Sequence, residues 1–302
     1  MDNMKELVKV VAGDTDSVYL SYKGLLDTIE GIENMTPAQI GTIIARLNTE
    51  FLDEHNEKFM TEYYNTRHCD SVHKFELETI AYSECRLDVK KRYAQLLFWK
   101  DGKVYDTVDQ MPLKVKGLEM IKSSYPKQAR EALKRLTRFF LEDDDENFQL
   151  QRLNIAMQKE RDLWMKANIE DICGSVGVQN YTKYILDDAD PLELKIAPKC
   201  PFNCKALGNY NRIRQVYNLP GDPLYGGKMK WYLYSPKGST NKSKLEYFAF
   251  QAGSYPKWAD TYAPINRSAT FQQFVIDPFN RILEAVGLGS LSVDGSIQMG
   301  LF

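Results

Sequence analysis

The sequence has no long apolar run. No stretch of its 302 residues approaches the roughly 18 apolar residues of a membrane-spanning helix. The polar start Met1-Asp2-Asn3-Met4-Lys5-Glu6 is no secretory signal. Cysteine is scarce: five residues, an odd count without framework spacing, exclude a disulfide scaffold and point to a reducing cytoplasm. Histidine is scarcer still. Cys200 and Cys204 are the only close cysteine pair, and His55, His68 and His73 lie too far upstream to complete a zinc set, so the thiols read as structural. An excess of either charge is also missing, since the net charge is −2. What remains is 43% apolar and 26% charged, ordinary for a globular protein, and long enough for about two domains.

The near-neutral average hides a division. From Lys195 to Lys244 ten Lys or Arg face one acid, Asp222, so this segment carries +9 and the rest of the chain −11. The basic segment is interleaved with Phe202, Tyr210, Tyr217, Trp231, Tyr232 and Tyr234. Cations among aromatics fit a surface that follows a phosphate backbone, and they equally fit a solvated lysine-rich face.

Near the start, Gly13-Asp14-Thr15-Asp16-Ser17 separates two apolar runs, Leu7 to Ala12 and Val18 to Tyr22. β-Branched and aromatic residues around a tight polar break predict two strands and a hairpin. The turn then holds two carboxylates at a strand junction. Mg²⁺ takes oxygen ligands and keeps several waters, so one or two such carboxylates plus substrate phosphates suffice to bind it. An Asp-rich hairpin tip facing water is the other reading.

Along the chain, Thr36-Pro37 predicts a helix start, with Thr as cap and Pro in the first turn. Ile40, Ile43, Ile44, Leu47, Phe51 and Leu52 recur at helical spacing, continued by Phe59, Met60 and Tyr63. Its apolar face is expected to cover the sheet that carries the acidic turn. Residues 75–81 and 91–99 read as strands, with a hairpin turn at Lys100-Asp101-Gly102-Lys103. Glu78 is a third acid on a strand of the same domain, and Lys90-Lys91-Arg92-Tyr93 places three cations and an aromatic where a strand begins. Ser123-Ser124-Tyr125-Pro126 marks a domain boundary and opens a helix with Ala129, Leu133, Leu136 and Phe140 on one face. The acidic run 142–146 reads as a solvated link before a second long helix ending near Lys166, and a late helical stretch covers 271–286.

Five pieces in this order resemble the late part of a family B DNA polymerase of the T-even phage type. They are Ala12-Gly13-Asp14-Thr15-Asp16-Ser17-Val18-Tyr19, Glu78-Thr79-Ile80-Ala81, Lys90-Lys91-Arg92-Tyr93-Ala94, Lys116-Gly117-Leu118-Glu119 with Lys122-Ser123-Ser124-Tyr125-Pro126-Lys127, and Lys199-Cys200-Pro201-Phe202. The resemblance implies an α+β fold: an antiparallel palm sheet with covering helices, then a largely helical thumb with a small β-containing subdomain. Residues 1–121 would be the C-terminal part of the palm, 122–288 the thumb, and 289–302 a tail.

The resemblance also implies roles. Asp16 would ligate the catalytic Mg²⁺ ions, Asp14 would be the neighbouring, less direct acid, and Glu78 an accessory palm carboxylate. Lys90, Lys91, Arg92 and Tyr93 would hold the primer-template minor groove. Lys122, Ser123, Ser124, Lys199, Lys205 and Arg212 would contact the duplex backbone. Met299, Leu301 and Phe302 would be a sliding-clamp peptide, or else a frayed tail. Nucleotidyl transfer with two metals needs carboxylates from two strands around ions about 4 Å apart, to activate the primer hydroxyl and stabilise the leaving pyrophosphate. This sequence offers one such turn. The family's Asp followed by Ser-Leu-Tyr-Pro, its fingers helix and its exonuclease acids are not found.

The expectation is therefore one chain of a split polymerase in a bacterial host cytoplasm, bound to primer-template and dNTP. A partner chain would supply the rest of the site, and no membrane is involved. A truncated polymerase is the competing account of the same half-site. A catalytically silent DNA-binding or clamp-tethering module is the alternative function. A nucleotide cyclase would leave the Lys-Lys-Arg-Tyr strand unexplained.

Overall fold

The computed structural model describes residues 7–14, 17–53, 55, 58–59, 61–62, 76–142, 146–185, 199–236, 244–292 and 297–298. Strands β1 (Lys9–Asp14) and β2 (Ser17–Ser21) form the expected hairpin, a two-stranded antiparallel ribbon with Gly13 opposite Val18 and Asp14 opposite Ser17. The register slips between Val10 and Ala12, as a β-bulge at Val11 requires. Val10 is 70% exposed, and Val11 and Val18 are each half exposed. Apolar β-branched residues made the strands legible, yet the ribbon does not bury them.

Helix α1 (Pro37–Leu47) begins where expected. The Thr36 amide donates to Gln39 Oε1 at 2.8 Å, and the Gln39 amide donates to Thr36 Oγ1 at 3.4 Å, a reciprocal capping box. Its end differs from the expected long α-helix: at Asn48 it widens into a π-helical stretch, Asn48–Asp53. There Thr49 Oγ1 donates back to the Ala45 carbonyl at 3.1 Å, the kind of local bond that bends a helix. Met60 and Tyr63 lie outside the described residues.

Gly41 of α1 approaches a second sheet so closely that a Cβ there would stand 3.3 Å from the Phe98 ring. That sheet comprises β3 (Thr79–Arg86), β4 (Tyr93–Lys100), β5 (Lys103–Val104) and β6 (Leu113–Lys116). β4 is central, paired with β3 on one edge and with β5 and β6 on the other. Six consecutive buried residues of β4, Tyr93 to Phe98, make it the core strand. The Asp101-Gly102 turn falls as predicted, with both residues at positive φ and Lys100 opposite Lys103. β3, read at 75–81, instead runs on through Ser83 and Glu84. Polar Glu84 stays in the strand because it accepts from Gln95 Nε2 of β4 at 2.5 Å.

The chain divides into two compact units, Met1–Glu84 with Gln95–Lys114, and Cys85–Ala94 with Val115–Phe302. In the second, α2 (Lys127–Glu142) buries Ala129, Leu133, Leu136 and Phe140, the face read from the sequence. It pairs with α3 (Glu146–Lys166), where Arg135 and Glu160 form a two-pronged ion pair at 2.6 and 2.7 Å. Arg267 donates to the Trp164 and Ala167 carbonyls, satisfying the C-terminal end of α3.

A three-stranded antiparallel sheet follows: β7 (Gly174–Val178), β8 (Gly227–Tyr234) and β9 (Glu246–Gln251) in the order β7-β8-β9. Helix α4 (Phe202–Val216) packs on β9. Here the reading of interleaved aromatics as a phosphate-tracking surface is corrected. Tyr210, Tyr232 and Tyr234 join Phe248 and Phe250 in a core, and Trp231 is buried between Phe202 and Phe274. β8 is buried on both faces from Trp231 to Tyr234, so its aromatics belong to the core, whereas Phe202 and Tyr217 at the two ends of α4 stay exposed. Helices α5 (Arg267–Phe271) and α6 (Asp277–Ala285) are joined by a π-helical turn, and β10 (Ser290–Leu291) pairs with β11 (Ile297–Gln298). Mixed helices with antiparallel sheets are the α+β class expected. No helix among the described residues is long and apolar enough to cross a membrane.

Candidate nucleic-acid interface

The acidic hairpin reaches its turn intact, with Asp14 closing β1 and Ser17 opening β2. Asp16, the expected principal metal ligand, lies outside the described residues, as do Met299, Leu301 and Phe302. Glu78 sits one residue before β3 rather than on it, exposed, with its backbone carbonyl accepting from the Asp101 amide at 3.3 Å. Carboxylate oxygens are the donors that Mg²⁺ takes, so the type of ligand fits. Among the described residues, which leave out Asp16, no group of three His, Cys, Asp or Glu side chains is placed to hold a metal ion.

The basic motif is better defined. Lys90 and Lys91 occupy the turn joining β3 to β4, which the Leu87 amide closes by donating to the Arg92 carbonyl at 3.0 Å. Lys91 adopts positive φ, 62°, and both lysines are exposed at the tip. Arg92 and Tyr93 turn inward. Tyr93 is 2% exposed, and the Arg86 guanidinium lies over its ring at 4.9 Å. The motif expected to act as one contact surface thus splits into two lysines that reach solvent and two residues that hold the turn.

What holds Arg92 is Glu119, an acid to which sequence reasoning assigned no role. Glu119 is only 7% exposed, and its carboxylate accepts from Arg92 Nη2 at 2.5 Å and Lys122 Nζ at 3.2 Å, with Arg281 Nη2 at 3.4 Å. Burial pushes the Glu119 carboxyl up, but the Lys122 hydrogen bond, its own backbone amide and the Arg92 and Lys122 charges together bring it below the usual carboxylate value. Gly117 makes the approach feasible. Its φ is 68°, and a Cβ there would collide with the Lys91 carbonyl oxygen and stand 3.0 Å from Arg92 Cγ. The Lys116-Gly117-Leu118-Glu119 string therefore seats the basic turn.

The remaining expected contacts divide similarly. Lys122, Ser123 and Ser124 are exposed just before α2, and the Ser124 carbonyl accepts from the Ser175 amide at 2.8 Å. Lys199 and Lys205 are exposed around the start of α4. Arg212 is not a free cation. It donates to Asn209 at 3.2 Å and pairs with Glu246 at 3.6 Å, beside the Tyr234 hydroxyl, which donates to the same carboxylate. The expected thiol role holds: Cys200 and Cys204 are buried and free, and burial pushes the Cys200 thiol up to about 11.

The DNA-directed DNA polymerase of Enterobacteria phage T4 aligns with 92% of this chain at 26% identity. The chain is similar to the C-terminal part of a phage family B DNA polymerase. It spans 30% of that phage polymerase's length. Among solved structures, the family B DNA polymerase from the archaeon Pyrobaculum calidifontis superimposes with a TM-score of 0.49 and 14% identity, over 95% of this chain and 28% of its own. No protein-family model matches the chain.

Proposed function

We propose that this chain supplies the late palm and the thumb of a DNA-directed DNA polymerase, with residues 1–121 as palm, 122–288 as thumb and 289–302 as a clamp-binding tail. The observation that carries the reading is the alignment with the phage T4 polymerase along nearly the whole chain, with five motifs in order. On this reading Asp16 and Asp14 hold Mg²⁺ together with a carboxylate from a second polypeptide. A metal held there would supply Lewis-acid chemistry, lowering the barrier to attack by the primer 3′-hydroxyl and to departure of pyrophosphate. Glu78 is an accessory acid nearby. Lys90, Lys91, Lys122, Lys199 and Lys205 meet the phosphates of primer-template, while dNTP binds chiefly on the partner chain.

The ribbon supports the need for a partner. A lone two-stranded ribbon is marginally stable in water, and Val10, Val11 and Val18 present apolar surface that further palm strands would bury. The test is copurification with a chain bearing the missing acidic and fingers motifs, followed by primer extension. The mixture is expected to extend a primer and this chain alone to be inert; extension by the chain alone would refute the half-site. Within that assembly, Lys90→Ala with Lys91→Ala is expected to lower the salt slope of duplex binding by about two, checked by fluorescence titration.

A further inference from the structure

We infer that Arg281 and Lys122 form one phosphate-binding site for the duplex backbone, held in place by the Arg92–Glu119 pair with Glu119 as the positioning residue; this rests on the duplex-gripping role proposed above. The three cations come from separate stretches of the second unit: the β3–β4 turn, the segment before α2, and α6. They surround one buried carboxylate, so the cluster keeps a surplus of two positive charges. A structural ion pair would need one cation for Glu119, and Arg92 at 2.5 Å already provides it. Lys122 and Arg281 add to it at 3.2 and 3.4 Å while remaining close to half exposed, which leaves donors facing solvent. Tyr125, whose ring packs edge-on against Phe274, lies near enough to feel the Arg281 and Glu119 charges. Fixed donors with surplus positive charge suit a phosphodiester, which takes planar guanidinium forks in a two-pronged manner.

Glu119 sets the geometry and makes a prediction that charge counting reverses. Glu119→Gln removes a negative charge, so a site governed by charge alone would bind DNA more tightly. A site that Glu119 positions would bind it more weakly, because the cations repel one another once the anion is gone.

The experiment is titration of the full chain with a fluorescein-labelled DNA duplex across a salt series, alongside Arg281→Gln, Glu119→Gln and the double variant Lys90→Ala with Lys91→Ala. Arg281→Gln is expected to weaken binding several-fold and lower the salt slope by about one. Glu119→Gln is expected to weaken it as well. An unchanged slope for Arg281→Gln, or tighter binding by Glu119→Gln, would overturn the inference while loss in the double lysine variant preserved the duplex-gripping reading. Absence of salt-dependent binding by the unaltered chain would overturn both. Arg281 lies on the surface of α6, so its variant keeps the test decisive even where Glu119→Gln impairs folding.

Discussion

At the scale of single residues, Gly117 and Glu119 do the work that holds the basic turn. Gly117→Ala puts a side chain into a left-handed conformation and against the Lys91 carbonyl, so it is expected to cost about 1–3 kcal/mol and displace Arg92. Thermal unfolding together with duplex titration checks both effects. Glu119→Ala is expected to cost about 3 kcal/mol, because it leaves Arg92 uncompensated at a partly buried position. The pH dependence follows from the lowered carboxyl. A group whose folded pKa is depressed contributes stability above its ordinary value, here 4.5, and loses it as pH falls through the folded value. The stability gap between the unaltered chain and Glu119→Gln is therefore expected to be constant near neutrality and to close on acidification below 4.5. A gap that widened in acid would contradict the assignment.

At the scale of elements, what was legible had local signals. Thr36-Pro37 placed a capping box, Asp101-Gly102 placed a hairpin turn, and the spacing of Ala129, Leu133, Leu136 and Phe140 gave the buried face of α2. What was missed depends on distant partners. The strand read at 75–81 stops short of Glu84, which β3 keeps because its carboxylate accepts from Gln95 Nε2 of β4, and the tyrosines of β8 read as exposed until α4 covers the sheet. Glu119 offered one local signal, Lys122 three residues on, but its other partners come from 27 residues upstream and from a helix near the end of the chain. The acidic turn was legible as a hairpin; its metal chemistry was read from resemblance. Pairing of α2 with α3 offers a check at this scale: Glu160 is buried and takes both prongs of Arg135, so Glu160→Ala is expected to cost about 2 kcal/mol in urea unfolding.

At the scale of the whole molecule, the chain has a well-packed second unit and a first unit whose acidic ribbon keeps its valines in solvent. That asymmetry fits a polypeptide that grips duplex with its own surface and borrows part of its catalytic centre. The most direct test is primer extension by the chain reconstituted with a partner bearing the missing motifs, comparing the unaltered protein with Asp16→Ala. The account predicts extension by the unaltered pair and near-total loss with Asp16→Ala, with duplex binding retained. Undiminished extension by the Asp16→Ala pair would contradict it.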